Sequence, residues 1–152
     1  MMMTGFKKIF VDTNVLIFAT NSVSPWHLAA TETLQTMRET GIELFVSPQV
    51  LREYLAAATR LNVTGSELQI EKIWENVNTF RTEFTVLEDN NLVLSALIEL
   101  LRNFPTAGRQ VYDANIVATM QVHNIGHLLT HNVADFSRFS TLIQILPLEV
   151  NS

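Results

Sequence analysis

Residues 8–19 read KIFVDTNVLIFA, and the rest of the chain is organised around them. Ile9, Phe10 and Val11 form a continuous β-branched and aromatic run that is too short for a helix. Such a run suits a strand buried on both faces, as in the interior of a parallel sheet. Asp12 follows at once, then Thr13, Asn14 and a second apolar run from Val15. A carboxylate between two apolar runs is costly to bury unless something pairs with it. In open α/β sheets ligands bind at the carboxyl ends of strands, which would put Asp12 at a strand tip, aimed into a crevice. Asp12 would equally serve as the cap of a helix beginning near Asn14. The stretch alone leaves both readings open.

Outward from this point, strands and helices alternate. The pattern predicts helices over 25–39, 47–61, 67–80, 90–103 and 112–123, with Gly41 and Gly126 as stops for the first and last. Ser47 followed by Pro48 is a strong helix start, with serine at the cap and proline at the first position. Strands are predicted over 42–46, 83–87, 128–129 and 142–146, with turns over 62–66 and 105–108 and a turn or short helix over 135–139. Alternation of this kind implies a parallel sheet with helices on both faces. No internal repeat, linker or low-complexity segment interrupts it, so residues 1–152 read as one domain, with 47–80 as an insertion-like helical hairpin.

Composition narrows the class. Hydrophobic residues make up 47% of the 152 positions and charged residues 16%, the balance of a core-rich globule rather than a disordered chain. No cysteine is present, which excludes disulfides and thiolate metal sites. The start, MMMTGFKK, lacks a secretory leader's order of basic then apolar segments, and no apolar run is long enough to span a membrane. The expectation is a cytoplasmic protein with no membrane partner. A net charge of −5 and a pI near 5.3 argue against a broad basic surface for nucleic acid, though not against a local groove.

Four acids stand where this pattern aims them at one place. Asp12 ends the first strand, and Glu53 lies in the second turn of the helix after the second strand. Asp113 lies in the first turn of its helix, and Asp135 follows the strand at 128–129. In a parallel sheet, strand tips and the helix starts that follow them share one edge. Carboxylates gathered there repel and raise one another's pKa values. A hard divalent cation, Mg²⁺ or Mn²⁺, resolves the repulsion, and such a site suits phosphodiester cleavage.

At these residues the chain resembles a known family. FVDTNVLI, SPQVLREYL, YDANIVAT and LLTHNVADF are similar to the four motifs of the PIN domain, in the right order and from Ile9 to about Leu146. The fold implied is a three-layer α/β sandwich, a central parallel sheet of four to five strands flanked by helices. PIN domains are metal-dependent nucleases, and many bacterial ones are the toxin of a VapBC-type toxin–antitoxin pair. The resemblance implies a ribonuclease that hydrolyses RNA with Mg²⁺ or Mn²⁺, and a cognate antitoxin as partner. It implies Asp12, Glu53, Asp113 and Asp135 as the catalytic and metal-binding acids. Asn14 would support the first carboxylate, and Thr130 and Asn132 the last. Members differ over the acid of the final motif, and Asn132 stands where some carry a carboxylate. The alternative function is a catalytically silent PIN-like module that binds protein or RNA.

Blander readings stand beside these. Glu53 would be an ordinary helix residue paired with Arg52 or Arg60, Asp113 a helix-start acid favoured by the dipole, and Asp135 a turn or cap residue. Arg109, just before Tyr112 and Asp113, is a candidate for holding a substrate phosphate, or an ordinary loop arginine. His123 and His127 are four apart, but a helix stop at Gly126 would leave them as exposed loop residues. Trp26 and Trp74 read as packing residues. A phospho-acceptor receiver domain also uses a strand-tip aspartate, but it would want an acidic pair near the first strand and a late lysine; the last lysine here is Lys72. Finally, Leu51, Leu55, Ile73, Trp74 and Val77 on the hairpin, with Leu92, Leu94, Ile98 and Leu101 on the 90–103 helix, exceed what one small domain buries. A homodimer about that last helix, and a hairpin groove left for an antitoxin, are the expectations.

Overall fold

Lys8–Val11 forms the first strand (β1), and its apolar residues Ile9, Phe10 and Val11 have no exposed surface. Five strands complete the sheet in this computed structural model, which describes residues 7–63 and 68–149. They are β1, β2 (Glu43–Val46), β3 (Thr85–Val86), β4 (His127–Thr130) and β5 (Gln144–Pro147), all parallel, in the order β3-β2-β1-β4-β5. Phe10 pairs with Phe45 on one side and Leu128 on the other. The chain thus winds outward from β1 in both directions, and β1 flanks the switch point where α/β sheets open a crevice.

The helices follow from the same alternation. They are α1 (Thr13–Thr20), α2 (His27–Glu39), α3 (Pro48–Val63), α4 (Ile70–Glu83), α5 (Asn91–Asn103), α6 (Gln110–Val122) and the short α7 (Val133–Phe136). α1 packs on α2 and α3, and α3 on α4; α5 packs on α6, and α6 on α7. Right-handed crossovers put the first group on one face of the sheet and the second on the other, giving the three-layer sandwich. Among the described residues, no helix is long and apolar enough to cross a membrane.

Several boundaries differ from the sequence pattern. α4 runs on to Glu83 because Phe80 and Phe84 both face the core, and the Phe84 N–H donates to the Phe80 carbonyl at 2.9 Å. That leaves β3 only two residues, both exposed. The expected helix start at Glu67 and part of the 62–66 turn lie outside the described residues. The predicted strand over 142–146 begins later, because Leu142 and Ile143 N–H groups turn back onto the Phe139 carbonyl. Gly41 ends α2 as expected, at φ +82°. Gly126 does not end α6: Asn124 takes the left-handed position at φ 59°, with Ile125 N–H on the Met120 carbonyl. Asn is the residue after Gly that tolerates this region most readily. His123 and His127 are half-buried rather than exposed, and His123 Nε2 lies 2.9 Å from the Glu88 carbonyl.

The apolar excess on the hairpin is corrected in part. Leu51 and Ile73 are buried, and Leu55 and Val77 pack half-buried against the core. Trp74 is the exception, 44% exposed, so it is not a packing residue. Trp26 does pack, its ring 4.1 Å from that of His131. On α5, Val93 and Leu100 face inward while Leu92, Leu94 and Ile98 are 67%, 53% and 48% exposed.

Candidate active site

Asp12 stands one residue beyond β1, and its N–H still joins the ladder by donating to the Leu129 carbonyl at 3.0 Å. Both readings of this residue hold. Its Oδ1 accepts from the Thr13 N–H at 2.8 Å at the start of α1, and its carboxylate also sits at the strand tip. Oδ2 accepts from Thr130 Oγ1 at 2.7 Å and from Asn14 Nδ2 at 3.1 Å. Asn14 in turn accepts the His131 N–H at its Oδ1. The expected support from Asn14 and Thr130 is therefore present, but both act on the first carboxylate. Asn132 takes part through its backbone: its N–H donates to Thr130 Oγ1 at 3.0 Å and its carbonyl accepts the Asp135 N–H at 3.1 Å. Burial pushes the Asp12 carboxyl upward, its three hydrogen bonds pull it back, and the charge of Asp135 adds to the rise.

Glu53 projects from α3 and accepts from Gln49 Nε2 at 3.0 Å. Its carboxyl is raised by burial, lowered by that hydrogen bond and raised again by Asp12. It makes no ion pair with Arg52 or Arg60; the described ion pairs are Arg38–Glu83, Lys72–Glu75 and Arg102–Glu99. Asp113 occupies the first turn of α6. Its carboxyl is pushed up to about 7, first by burial and then by the charges of Asp135, Asp12 and Glu53, against a smaller lowering by Arg138. Dipole stabilisation alone would have moved it the other way.

The four acids therefore share one electrostatic neighbourhood at the carboxyl edge of the sheet. They stand near enough to feel one another but not packed together: among the described residues, no three His, Asp or Glu side chains lie close enough to hold one ion between them. The donor set is all carboxylate oxygen, the chemistry of a hard divalent cation rather than a soft one. The charge of Asp135, the acid of the last motif, acts on both Asp12 and Asp113.

Beside the acids lies an open cleft of about 680 Å³ lined by Arg52, Arg60 and Arg109 together with Glu53, Asp113 and Tyr112, the last 63% exposed. Arg109 lines this cleft alongside Glu53 and Asp113. Three residues were not found from the sequence. Arg138, three positions after Asp135, donates to Gln110 Oε1 at 3.0 Å and faces Asp113. Gln49 and Asn115 form an amide pair beside Glu53, with Asn115 Nδ2 donating to Gln49 Oε1 at 2.7 Å. Gln49 sits four residues before Glu53, a spacing that puts both on one helix face and was the available clue.

Comparison with known proteins agrees with this geometry. The PIN domain matches residues 9–142 of the chain. Ribonuclease VapC24 of Mycobacterium tuberculosis is 27% identical over 130 residues, spanning 85% of this chain and 89% of that protein. The crystal structure of VapBC2 from Rickettsia felis, bound to a DNA fragment from its promoter, superposes with a TM-score of 0.71 at 17% identity, over 93% of this chain and 99% of that one. VapC20 of Mycobacterium tuberculosis, a sarcin-ricin loop cleaving toxin, gives a TM-score of 0.59 at 21% identity, over 79% and 86%. At such identities the structural likeness speaks for the fold alone, but the domain match runs through Asp12, Glu53, Asp113 and Asp135. The chain belongs to the PIN domain family.

Proposed function

We propose that this protein is a metal-dependent endoribonuclease and the toxin of a toxin–antitoxin pair. The observation that carries the reading is the convergence of Asp12, Glu53, Asp113 and Asp135 on one sheet edge, where burial and mutual repulsion hold Asp113 at about 7. Burial is the larger cause of that rise; the part due to the neighbouring acids is unfavourable in isolation and would be relieved by a bound cation. Mg²⁺ or Mn²⁺ would have to draw these carboxylates closer than they stand here; held by them, it would supply an activated water and steady the charge on the phosphate. Asp12 is oriented for this by Thr13, Asn14 and Thr130. Arg109, with Arg52 and Arg60, would hold phosphates of the strand on either side of the cut, and Tyr112 offers a face on which a base can stack.

The relatives support the class of activity and the kind of partner. One is named a ribonuclease, another a sarcin-ricin loop cleaving toxin, and a third is a VapBC complex. By the same reading, the exposed side of α5 (Leu92, Leu94 and Ile98) forms a homodimer, and the groove beside α3 and α4 receives an antitoxin. A silent binding module has one observation in its favour, that among the described residues no three acids stand close enough to share an ion; against it, all four acids are present in the sequence. The test is cleavage of a single-stranded RNA with Mg²⁺ or Mn²⁺, in excess EDTA, and by Asp113→Asn. Cleavage that needs the cation and is lost in the variant supports the reading; full cleavage in EDTA or by Asp113→Asn refutes it.

A further inference from the structure

Gln49 is a polar residue in the first turn of α3, between the cap serine and the core residues Val50 and Leu51, and only 9% of it is exposed. An amide in that place is unfavourable unless its hydrogen bonds are made. Nε2 donates to Glu53 Oε1 at 3.0 Å and to the Tyr112 carbonyl at 2.8 Å, and Oε1 accepts from Asn115 Nδ2 at 2.7 Å. Asn115 Nδ2 also donates to Asp89 Oδ2 at 3.0 Å.

The ends of this chain dictate its direction. A carboxylate and a main-chain carbonyl only accept, so Gln49 must turn its NH₂ to both and its oxygen to Asn115. Asn115 must then offer its own NH₂, with Asp89 as the second acceptor. Neither amide can flip without leaving two acceptors face to face. The relay also bridges elements packed elsewhere, since α3 lies mainly on α1 and α4, and α6 mainly on α5 and α7. One of its ends is the Glu53 carboxylate, and another is the carbonyl of the residue before Asp113.

We infer that Gln49, locked by Asn115 and Asp89, is a positioning residue that sets the orientation of Glu53 and its separation from Asp113. The inference rests on the proposed nuclease site and concerns how that site is held. Gln49, Asn115 and Asp89 also line the cleft, so the effect that runs through the two acids is the one read in cation affinity, which does not depend on RNA contact.

The test is a cycle on the full-length protein, reading Mn²⁺ affinity by electron paramagnetic resonance of the free ion, with kcat and KM on a single-stranded RNA. Gln49→Met keeps the side-chain length and removes every hydrogen bond. It should weaken Mn²⁺ binding by about 10- to 100-fold, the usual cost of losing a partner of a metal ligand, and lower kcat. Asn115→Leu leaves Gln49 in place but unlocked, and should shift Mn²⁺ affinity and kcat in the same direction. In a Glu53→Gln background, Gln49→Met should cost clearly less than in the wild type, keeping only the part that runs through the Tyr112 carbonyl. Unchanged Mn²⁺ affinity in Gln49→Met or in Asn115→Leu, or additive losses in the cycle, would overturn the inference. If Gln49→Met fails to fold, Asn115→Leu decides alone. Wild-type protein that cleaves RNA without binding Mn²⁺ would remove the cation from the site, leaving the kcat cycle to judge Gln49. Wild-type protein that does neither would remove the proposed function, and this inference with it.

Discussion

Asp12 and Asp113 stand at the same sheet edge, yet they are held in opposite ways. Three donors from two segments, Thr13 and Asn14 of α1 and Thr130 of β4, close around the Asp12 carboxylate. Among the described residues no hydrogen bond reaches the Asp113 carboxylate; Arg138 is its favourable charge, set against burial and three acids. One carboxylate is built into the fold by its partners. The other is kept under repulsion that a cation would relieve, which is a division of labour between a rigid anchor and a responsive ligand.

The largest effect that would break this comparison is on catalysis. Both Asp12→Asn and Asp113→Asn should lower the rate of RNA cleavage by at least about 100-fold, on the scale seen when a group that stabilises developing charge is removed. A variant that retains wild-type turnover would take its residue out of the site. Stability should separate the two variants. Asp113→Asn removes an unfavourable buried charge and should raise the Tm at pH 8, whereas Asp12→Asn turns an NH₂ towards donors that need an acceptor and should lower it. Each shift should be about 2–4 °C for a change of about 1 kcal/mol in a chain of this size. Equal stabilisation of both would mean that the hydrogen bonds to Asp12 count for little.

Cation binding sharpens the same contrast. A ligand that binds the folded state alone stabilises by mass action, so Mg²⁺ or Mn²⁺ at 100 times its Kd should add about 2.7 kcal/mol to the wild type. The Tm of an Asp12→Asn, Asp113→Asn double variant should not move; an equal shift in both proteins would put the cation elsewhere. The pH dependence follows from the raised Asp113 carboxyl. Between its unfolded value near 3.8 and its folded value of about 7 the folded protein holds the extra proton. Stability in EDTA should therefore fall as pH rises through that window, and Asp113→Asn should flatten the fall. A Tm that climbs from pH 5 to pH 7 in the wild type, with no difference in the variant, contradicts the assignment. The smallest effect concerns the cleft. Each of Arg52→Gln, Arg60→Gln and Arg109→Gln should reduce the slope of log affinity for single-stranded RNA against log salt by about 0.7. An unchanged slope would take that arginine off the strand's path.

Much of this was legible in the sequence because it is local. A buried β-branched run, a Ser-Pro start and the position of an acid within a helix turn are written within a few residues of one another, and they suffice to point Asp12, Glu53, Asp113 and Asp135 towards the end of the sheet where their charges act on one another. Errors came where distant packing overrides local pattern. Phe80 and Phe84 reach the core and extend α4 at the expense of β3. Asn124 does the work assigned to Gly126 because the chain must turn two residues earlier to deliver Ile125 into the core. Trp74 reads as a packing residue in the sequence, but its side of α4 faces outward.

By itself, then, the sequence determined the alternation of strands and helices, the parallel sheet and the set of four acids, since all three depend on short-range period and on which residue types can be buried. Only the tertiary structure decided what each acid meets. Thr130 reaches Asp12 across 118 positions, Asn115 reaches Gln49 across 66, and Arg138 reaches Asp113 from a turn beyond the fourth strand. Such pairings have no local signature, because a hydrogen bond or a charge acts through space and is indifferent to how much chain separates its partners.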